Sequence, residues 1–204
     1  MSAIAAFLVR LYQMNFETKR VETLLFRTIS FILDQITYSE SGRSYFPSFS
    51  KESSTGGSRL GWCYGDLGIA CVLRNAALAL KNKEWEEIAL KVLLHTCNRR
   101  DIEEDGIRDA CLCHGSAGLA YIFGDLHLKT QIKEFRETSD YWLDITQQMA
   151  KYQDGLAGFK SYRLEKHGGM TNSDTLLEGI AGIGLVLLSC LSSDKTSWDE
   201  CFML

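Results

Sequence analysis

The chain has 204 residues and a mass of 23.0 kDa, and its 46% hydrophobic and 24% charged residues are an ordinary globular composition with enough apolar material for a core. A net charge of -4, a pI near 5.6 and scattered rather than clustered Lys and Arg argue against a nucleic-acid partner. Seven cysteines, odd in number and irregularly spaced behind no signal peptide, point to a reducing cytoplasm.

The apolar start, residues 3–11, is too short to span a bilayer and contains Arg10, and 185–191 is shorter still, so an integral membrane protein is not expected. Pro47 is the only proline, which favours long uninterrupted helices and leaves the glycines as the main punctuation. One domain over 1–204 is the expectation.

Ile4, Phe7, Leu8, Leu11 and Tyr12 fall at helical spacing over residues 2–14, in a helix that begins without a capping residue. Residues 15–18 supply turn and capping types. Val21, Leu24, Leu25, Thr28, Ile29, Ile32, Leu33 and Ile36 then make the stripe of a second helix. Residues 38–60 lose all periodicity and predict a loop long enough to be functional or mobile, with Gly56-Gly57-Ser58 as its most flexible part.

The run 67–80 is apolar nearly all round, broken by Arg74 and Asn75, and predicts a helix buried on most sides. Asn82 caps an amphipathic partner carrying Trp85, Ile88, Ala89, Val92 and Leu93. After a charged connection at 99–109 the unit repeats, with a small apolar helix over 115–126 and a charged one over 131–152 carrying Phe135, Tyr141, Trp142 and Ile145. A second glycine-rich polar loop at 153–176 precedes a third apolar helix, 179–191, and Ser197-x-x-Glu200 reads as a capping box for a last turn.

The landmarks Gly65, Gly115 and Gly179 recur at 50 and 64 residues, with two helices per unit. That period predicts an array or closed ring of helical hairpins, each an inner helix followed by an outer one. Glycines suit these turns, because an inner helix that packs on two sides from its first residue has no room for a Cβ.

Chemistry concentrates in two of the turns, Gly61-Trp62-Cys63-Tyr64-Gly65 and Cys113-His114-Gly115. Two thiolates and an imidazole are a donor set for zinc, and three protein ligands leave a fourth position for substrate. Free cysteine is also among the most buried residue types, so on spacing alone a metal site and a pair of core thiols both stand. Cys111 is a competing ligand that a turn would point elsewhere. Cys71, Cys97, Cys190 and Cys201 read as core or surface thiols. His95, His127 and His167 lack a partner motif, with His167 the best placed of them to reach a site from its loop.

Trp62-Cys63-Tyr64-Gly65, then Cys113-His114-Gly115, then Leu177-Glu178-Gly179-Ile180-Ala181-Gly182 resemble, in order, the three signatures of the lanthionine synthetase C-like proteins, the lanthipeptide cyclases. The resemblance implies an all-α fold, an α/α toroid of inner and outer hairpins, here a partial ring. It implies Zn2+ held by Cys63, Cys113 and His114, and a cytoplasmic cyclase that adds a peptide cysteine thiol to dehydroalanine or dehydrobutyrine in the same dehydrated precursor peptide, leaving a thioether ring. Arg59 stands four residues before Cys63, where the family has an arginine near the metal, and Tyr64 directly follows the ligand. Both are expected to bind substrate or a developing enolate oxygen. Their plain alternatives are a solvated loop charge and a packed ring with a wet hydroxyl.

Family members carry an acid/base histidine and aspartate on earlier repeats, the histidine in an Ala-His-Gly type turn. Residues 1–6 resemble the helix just after such a turn, so the chain reads as N-terminally truncated, the counterpart of a C-terminal half. A dehydratase, a transporter or a complementary N-terminal half are then the candidate partners, and any peripheral membrane association of the chain is expected to come through partners. Two rivals remain: a non-catalytic module of the same fold that binds zinc and a thiol such as glutathione, and a helical-repeat scaffold with structural cysteines.

Overall fold

The alternation of apolar and charged stripes is realised as seven helices in a computed structural model that describes residues 1–37, 42–52, 57–191 and 197–202. They are α1 (Ser2–Gln13), α2 (Thr18–Asp34), α3 (Asp66–Leu80), α4 (Lys83–Thr96), α5 (Ser116–Thr130), α6 (Lys133–Gln148) and α7 (Ile180–Leu191). Short 3-10 turns form at Glu165–His167 and Trp198–Phe202, and two two-residue strands, β1 (Ser161–Tyr162) and β2 (Met170–Thr171), pair antiparallel.

The chain divides into two compact units. The first comprises Met1–Leu60, Tyr64–Arg99 and Ser197–Leu204 and contains α1 to α4; the second comprises Gly61–Cys63 and Arg100–Thr196 and contains α5 to α7 with the strand pair.

In the first unit α3 packs against α4, α1 and α2. Its Leu67, Ala70, Leu73 and Ala76 are wholly buried, and so, wholly or nearly, are Ala5, Leu8 and Val9 of α1, Leu25 and Ile29 of α2, and Trp85, Ala89 and Leu93 of α4. Asn82 caps α4 as its sequence predicts, its side-chain oxygen accepting from Trp85 N at 3.1 Å. The entry to α2 differs: no side chain caps it, and the chain turns through left-handed Asn15 and Glu17. Ile4 and Phe7 on α1 remain about half exposed.

The segment before α3 is more fixed than its composition suggests. The Asp66 carboxylate, in the first turn of α3, accepts from Tyr45 N at 2.9 Å and Phe46 N at 2.9 Å, and Arg99 Nη1 lies 3.4 Å from it. Arg99 Nη2 donates to Ser58 O at 2.6 Å, and Ser58 N to Ser44 Oγ at 3.0 Å. Gly57 pairs with Pro47 in an isolated bridge. Of the stretch expected to be most flexible, Gly57 and Ser58 are therefore held in place, and Gly56 lies outside the described residues. Burial pushes the Asp66 carboxyl above its ordinary range, against the pull of the two amides and of Arg99.

In the second unit α5 packs on α6 and α7. Phe123 and Phe135 are fully buried with ring centroids 6.2 Å apart, and Trp142 of α6 and Ile183 and Val186 of α7 are buried as well. The polar stretch 153–176 is not a plain loop: Gly168 and Gly169, both at positive φ, turn the chain so that Ser161 pairs with Thr171 and Tyr162 with Met170. Strands this short carry no alternation for a sequence pattern to show.

Candidate metal centre

Three turns of the same local form lead into α3, α5 and α7. A Cβ built on Gly65, Gly115 or Gly179 would lie 2.6, 2.5 and 2.5 Å from the carbonyl oxygens of Arg59, Asp109 and Ser173, each six positions upstream. Arg59, Asp109 and Ser173 are thus equivalent positions, as are Cys63, Cys113 and Leu177, and as are Tyr64, His114 and Glu178. Duplication has set two thiols at one turn position and has varied the position that follows.

Gly118, one helical turn into α5, shows why the apolar helix must start with small residues. Its Cβ would collide with the carbonyl oxygen of Leu112 in the ligand turn, which is backbone and cannot swing away. A Gly to Ala change in an open helix gains up to about 1 kcal/mol. Here Gly118→Ala is expected to destabilise by about 1–3 kcal/mol, the usual cost of overpacking, as read in urea unfolding; a stabilised variant would contradict the close approach.

Cys63, Cys113 and His114 converge within the second unit. Their ligand atoms all lie within 4.8 Å of one another, and Cys63 Sγ is 3.9 Å from His114 Nδ1. A tetrahedral centre with thiolate bonds of about 2.3 Å and an imidazole bond of about 2.0 Å sets its donors about 3.5 to 3.8 Å apart. The group needs only a small inward adjustment, and its soft donors suit zinc, so the residues present fit the ion.

Backbone bonds hold the two thiol turns together. Trp62 N donates to Cys113 O at 3.2 Å, and Cys113 N donates to Leu177 O of the third turn at 3.0 Å. Gly61 lies against His114, with room of only 3.2 Å between its would-be Cβ and His114 Cβ. Cys113 is buried and Cys63 half-buried.

The Cys113 thiol is pushed well above its ordinary range, first by its hydrogen bond with Cys63 and then by burial. Cys111 is pushed up by burial and by the adjacent Asp109 carboxylate. Near neutral pH the Cys113 thiol therefore keeps its proton until a cation displaces it, and metal binding is coupled to proton release.

Among the described residues this is the one His/Cys/Asp/Glu group with metal-ligand spacing. Cys111 is 1% exposed and outside it. His167, in its exposed 3-10 turn, is outside it too. His95 bonds Arg43 O at 3.0 Å and His127 bonds Ile132 O at 2.9 Å, the satisfied structural roles. Cys97 is buried, Cys71 half-buried and Cys190 exposed, while the Cys201 side chain lies outside the described residues. Arg59 and Tyr64 belong to the first unit, where the Arg59 guanidinium stands 5.8 Å from the Tyr64 ring centroid and Tyr64 is 54% exposed.

Composition and spacing alone gave no role to Asp66, Arg99, Asp109, Arg163 or Glu178. Arg163 Nη1 pairs with Glu178 Oε2 at 2.6 Å, next to the Leu177 carbonyl that holds Cys113. The one available sign was Asp66 at the first helical position; the rest depend on contacts between distant segments.

Among the described residues α1 to α6 form three helical hairpins, α7 follows them, and a thiol–thiol–imidazole group lies at two of the turns, which makes this a mostly helical protein of repeated hairpins. The chain belongs to the lanthionine synthetase C-like family, whose model, described as lanthionine synthetase C-like protein, matches residues 1–203. Among solved structures it is similar to nisin cyclase, with a TM-score of 0.74 at 21% identity over 99% of this chain and 48% of that one. The likeness shows the fold, an α/α toroid of helical hairpins, and the chain spans about half the length of that protein. No described helix is long and apolar enough to cross a membrane.

Proposed function

We propose that the chain is the zinc-carrying part of a lanthionine cyclase whose substrate is a dehydrated, cysteine-containing peptide. The observation that carries this reading is the convergence of Cys63, Cys113 and His114 in a chain of this family. Zinc held there would stabilise the thiolate form of a peptide cysteine near neutral pH.

The chain's own residues do the rest of what falls to it. Three ligands, two anionic and one neutral, leave a fourth position for a sulfur donor. The reaction adds S–H across a carbon–carbon double bond: sulfur bonds to the β-carbon, the electron pair moves through the α-carbon onto the carbonyl oxygen, and a proton finally reaches the α-carbon. Nothing is oxidised or lost, so the product is an isomer of the substrate. The Arg59 guanidinium and the exposed Tyr64 hydroxyl are the donors proposed to meet the enolate oxygen, where charge develops.

Because the product has the mass of the substrate, the test reads thiols. Zinc-loaded protein incubated with a dehydrated, uncyclised peptide is expected to protect the peptide's cysteines from alkylation. Arg59→Ala is expected to slow that protection by about 10²–10³, the effect of losing one oxyanion donor, with zinc content unchanged. Zinc-loaded protein that gives no protection would favour the thiol-binding module instead. The peptide reaches such a site only after a reaction that eliminates water from serine or threonine, so a dehydratase is the proposed upstream partner.

A further inference from the structure

We propose that Asp109 is the positioning residue of the metal centre, tying the Cys113–His114 ligand turn to the β1–β2 pair. The inference rests on the metal reading of Cys63, Cys113 and His114 given above.

Asp109 is 3% exposed and uses both carboxylate oxygens. Oδ1 accepts from Cys111 N at 3.0 Å, within its own turn, and Oδ2 accepts from Tyr162 N at 2.7 Å, on β1. From there a circuit returns to the ligand. Ser161 Oγ donates to Glu178 O, and the carbonyl of Leu177 accepts from Cys113 N at 3.0 Å. Asp109, β1, the third turn and Cys113 form one closed path of hydrogen bonds, in which Asp109 supplies the link that brings β1 to the ligand turn.

The equivalent turn position shows that closing a turn does not require a carboxylate. Ser173, the counterpart of Asp109, stays within its own turn, with Thr175 N at 3.5 Å and Thr175 Oγ1 at 3.0 Å from its hydroxyl. The second carboxylate oxygen is what Asp109 adds, and that oxygen reaches β1. A buried acceptor of this kind is costly to remove, because two N–H groups lose their partner. Groups that orient metal ligands from outside typically carry about 10–100-fold of metal affinity.

The test uses the full chain loaded with Co2+, whose absorption bands report ligand geometry, together with chelator competition for Zn2+. Asp109→Asn keeps the bond to Cys111 but turns an amide donor toward Tyr162 N–H. Asp109→Ser restores the Ser173 arrangement, closing the turn without the reach to β1. Both are expected to shift the cobalt bands and to weaken zinc retention by about 10–100-fold. Phe135→Leu, a core change on α6, is expected to lower stability yet keep the wild-type bands. Wild-type bands and affinity in either Asp109 variant overturn the proposal, as does an equal spectral change in Phe135→Leu, which would make the effect one of general stability. A wild-type chain whose cobalt bands do not depend on Cys63 and Cys113 overturns the metal reading itself, a separate result from either.

Discussion

Replacement of Cys113 or His114 by alanine is expected to abolish zinc retention in protein that otherwise purifies with close to stoichiometric zinc. Each change removes one of three donors that lie within 4.8 Å of one another. Loss of a direct ligand should exceed the roughly 10–100-fold effect of losing an outer partner. The fold should survive, because Cys113 is fixed through its backbone, by Trp62 N at 3.2 Å and by Leu177 O at 3.0 Å, and alanine keeps both bonds. Cys111→Ala is the control: that thiol is more deeply buried, two residues away and outside the group, so it should leave zinc in place. Retention should also fall on acidification, since protons compete for the thiolates. Metal analysis of wild type and the three variants decides it. Folded protein without zinc, or zinc indifferent to Cys113 and His114, would sink the assignment.

Duplication made the two thiols of that group visible in the sequence, since both occupy one turn position, but spacing alone left core thiols as an equal reading, and His114 was assigned as a ligand with them through the family resemblance. Cys63 and Cys113 stand 50 residues apart, and each immediately precedes its varied turn position, Tyr64 or His114. Helices were legible too: α3 and α5 announce themselves by apolar runs bounded by glycine and α4 by Asn82, and the observed starts fall just after Gly65, Gly115 and Asn82. What composition and spacing could not show is how the long polar segments are held. Residues 38–60 and 153–176 read as loops because the order of their described parts comes from single buried side chains elsewhere. Asp66 takes the amides of Tyr45 and Phe46 from 21 and 20 residues back, and Asp109 takes that of Tyr162 from 53 residues on. A carboxylate that binds a distant N–H leaves no periodic trace.

The same device therefore appears twice, once beside each thiol turn, and it changes what these polar segments are for. In the first unit Asp66 and Arg99 secure Ser58, so that the carbonyl of the next residue, Arg59, comes to rest against Gly65. In the second unit Asp109 secures β1 against the turn that carries Cys113. Each segment is anchored at the turn whose chemistry it adjoins, which is where a site needs fixed geometry more than a core does.

Asp66→Ala is accordingly expected to cost about 3–5 kcal/mol, the penalty for stranding one member of a buried charge pair. The Arg99 side chain is 5% exposed and the Asp66 side chain 0%, so solvent cannot take over when the carboxylate goes. Removal of Asp66 takes the paired carboxylate away from the buried Arg99 guanidinium and takes the carboxylate acceptor from the amides of Tyr45 and Phe46. Burial already holds the Asp66 carboxyl above its ordinary range, a sign that keeping a charge there is costly in itself. It follows that Asp66→Leu combined with Arg99→Met should be less damaging than the sum of the two single changes, by more than about 1 kcal/mol in a double-mutant cycle. Urea unfolding of the four proteins supplies the cycle, and limited proteolysis within 48–52 reports release of the segment. A single-variant loss under about 1 kcal/mol, the ordinary value for a surface pair, would show that Asp66 and Arg99 do not act as a buried clamp. Strict additivity would show that they act, but separately.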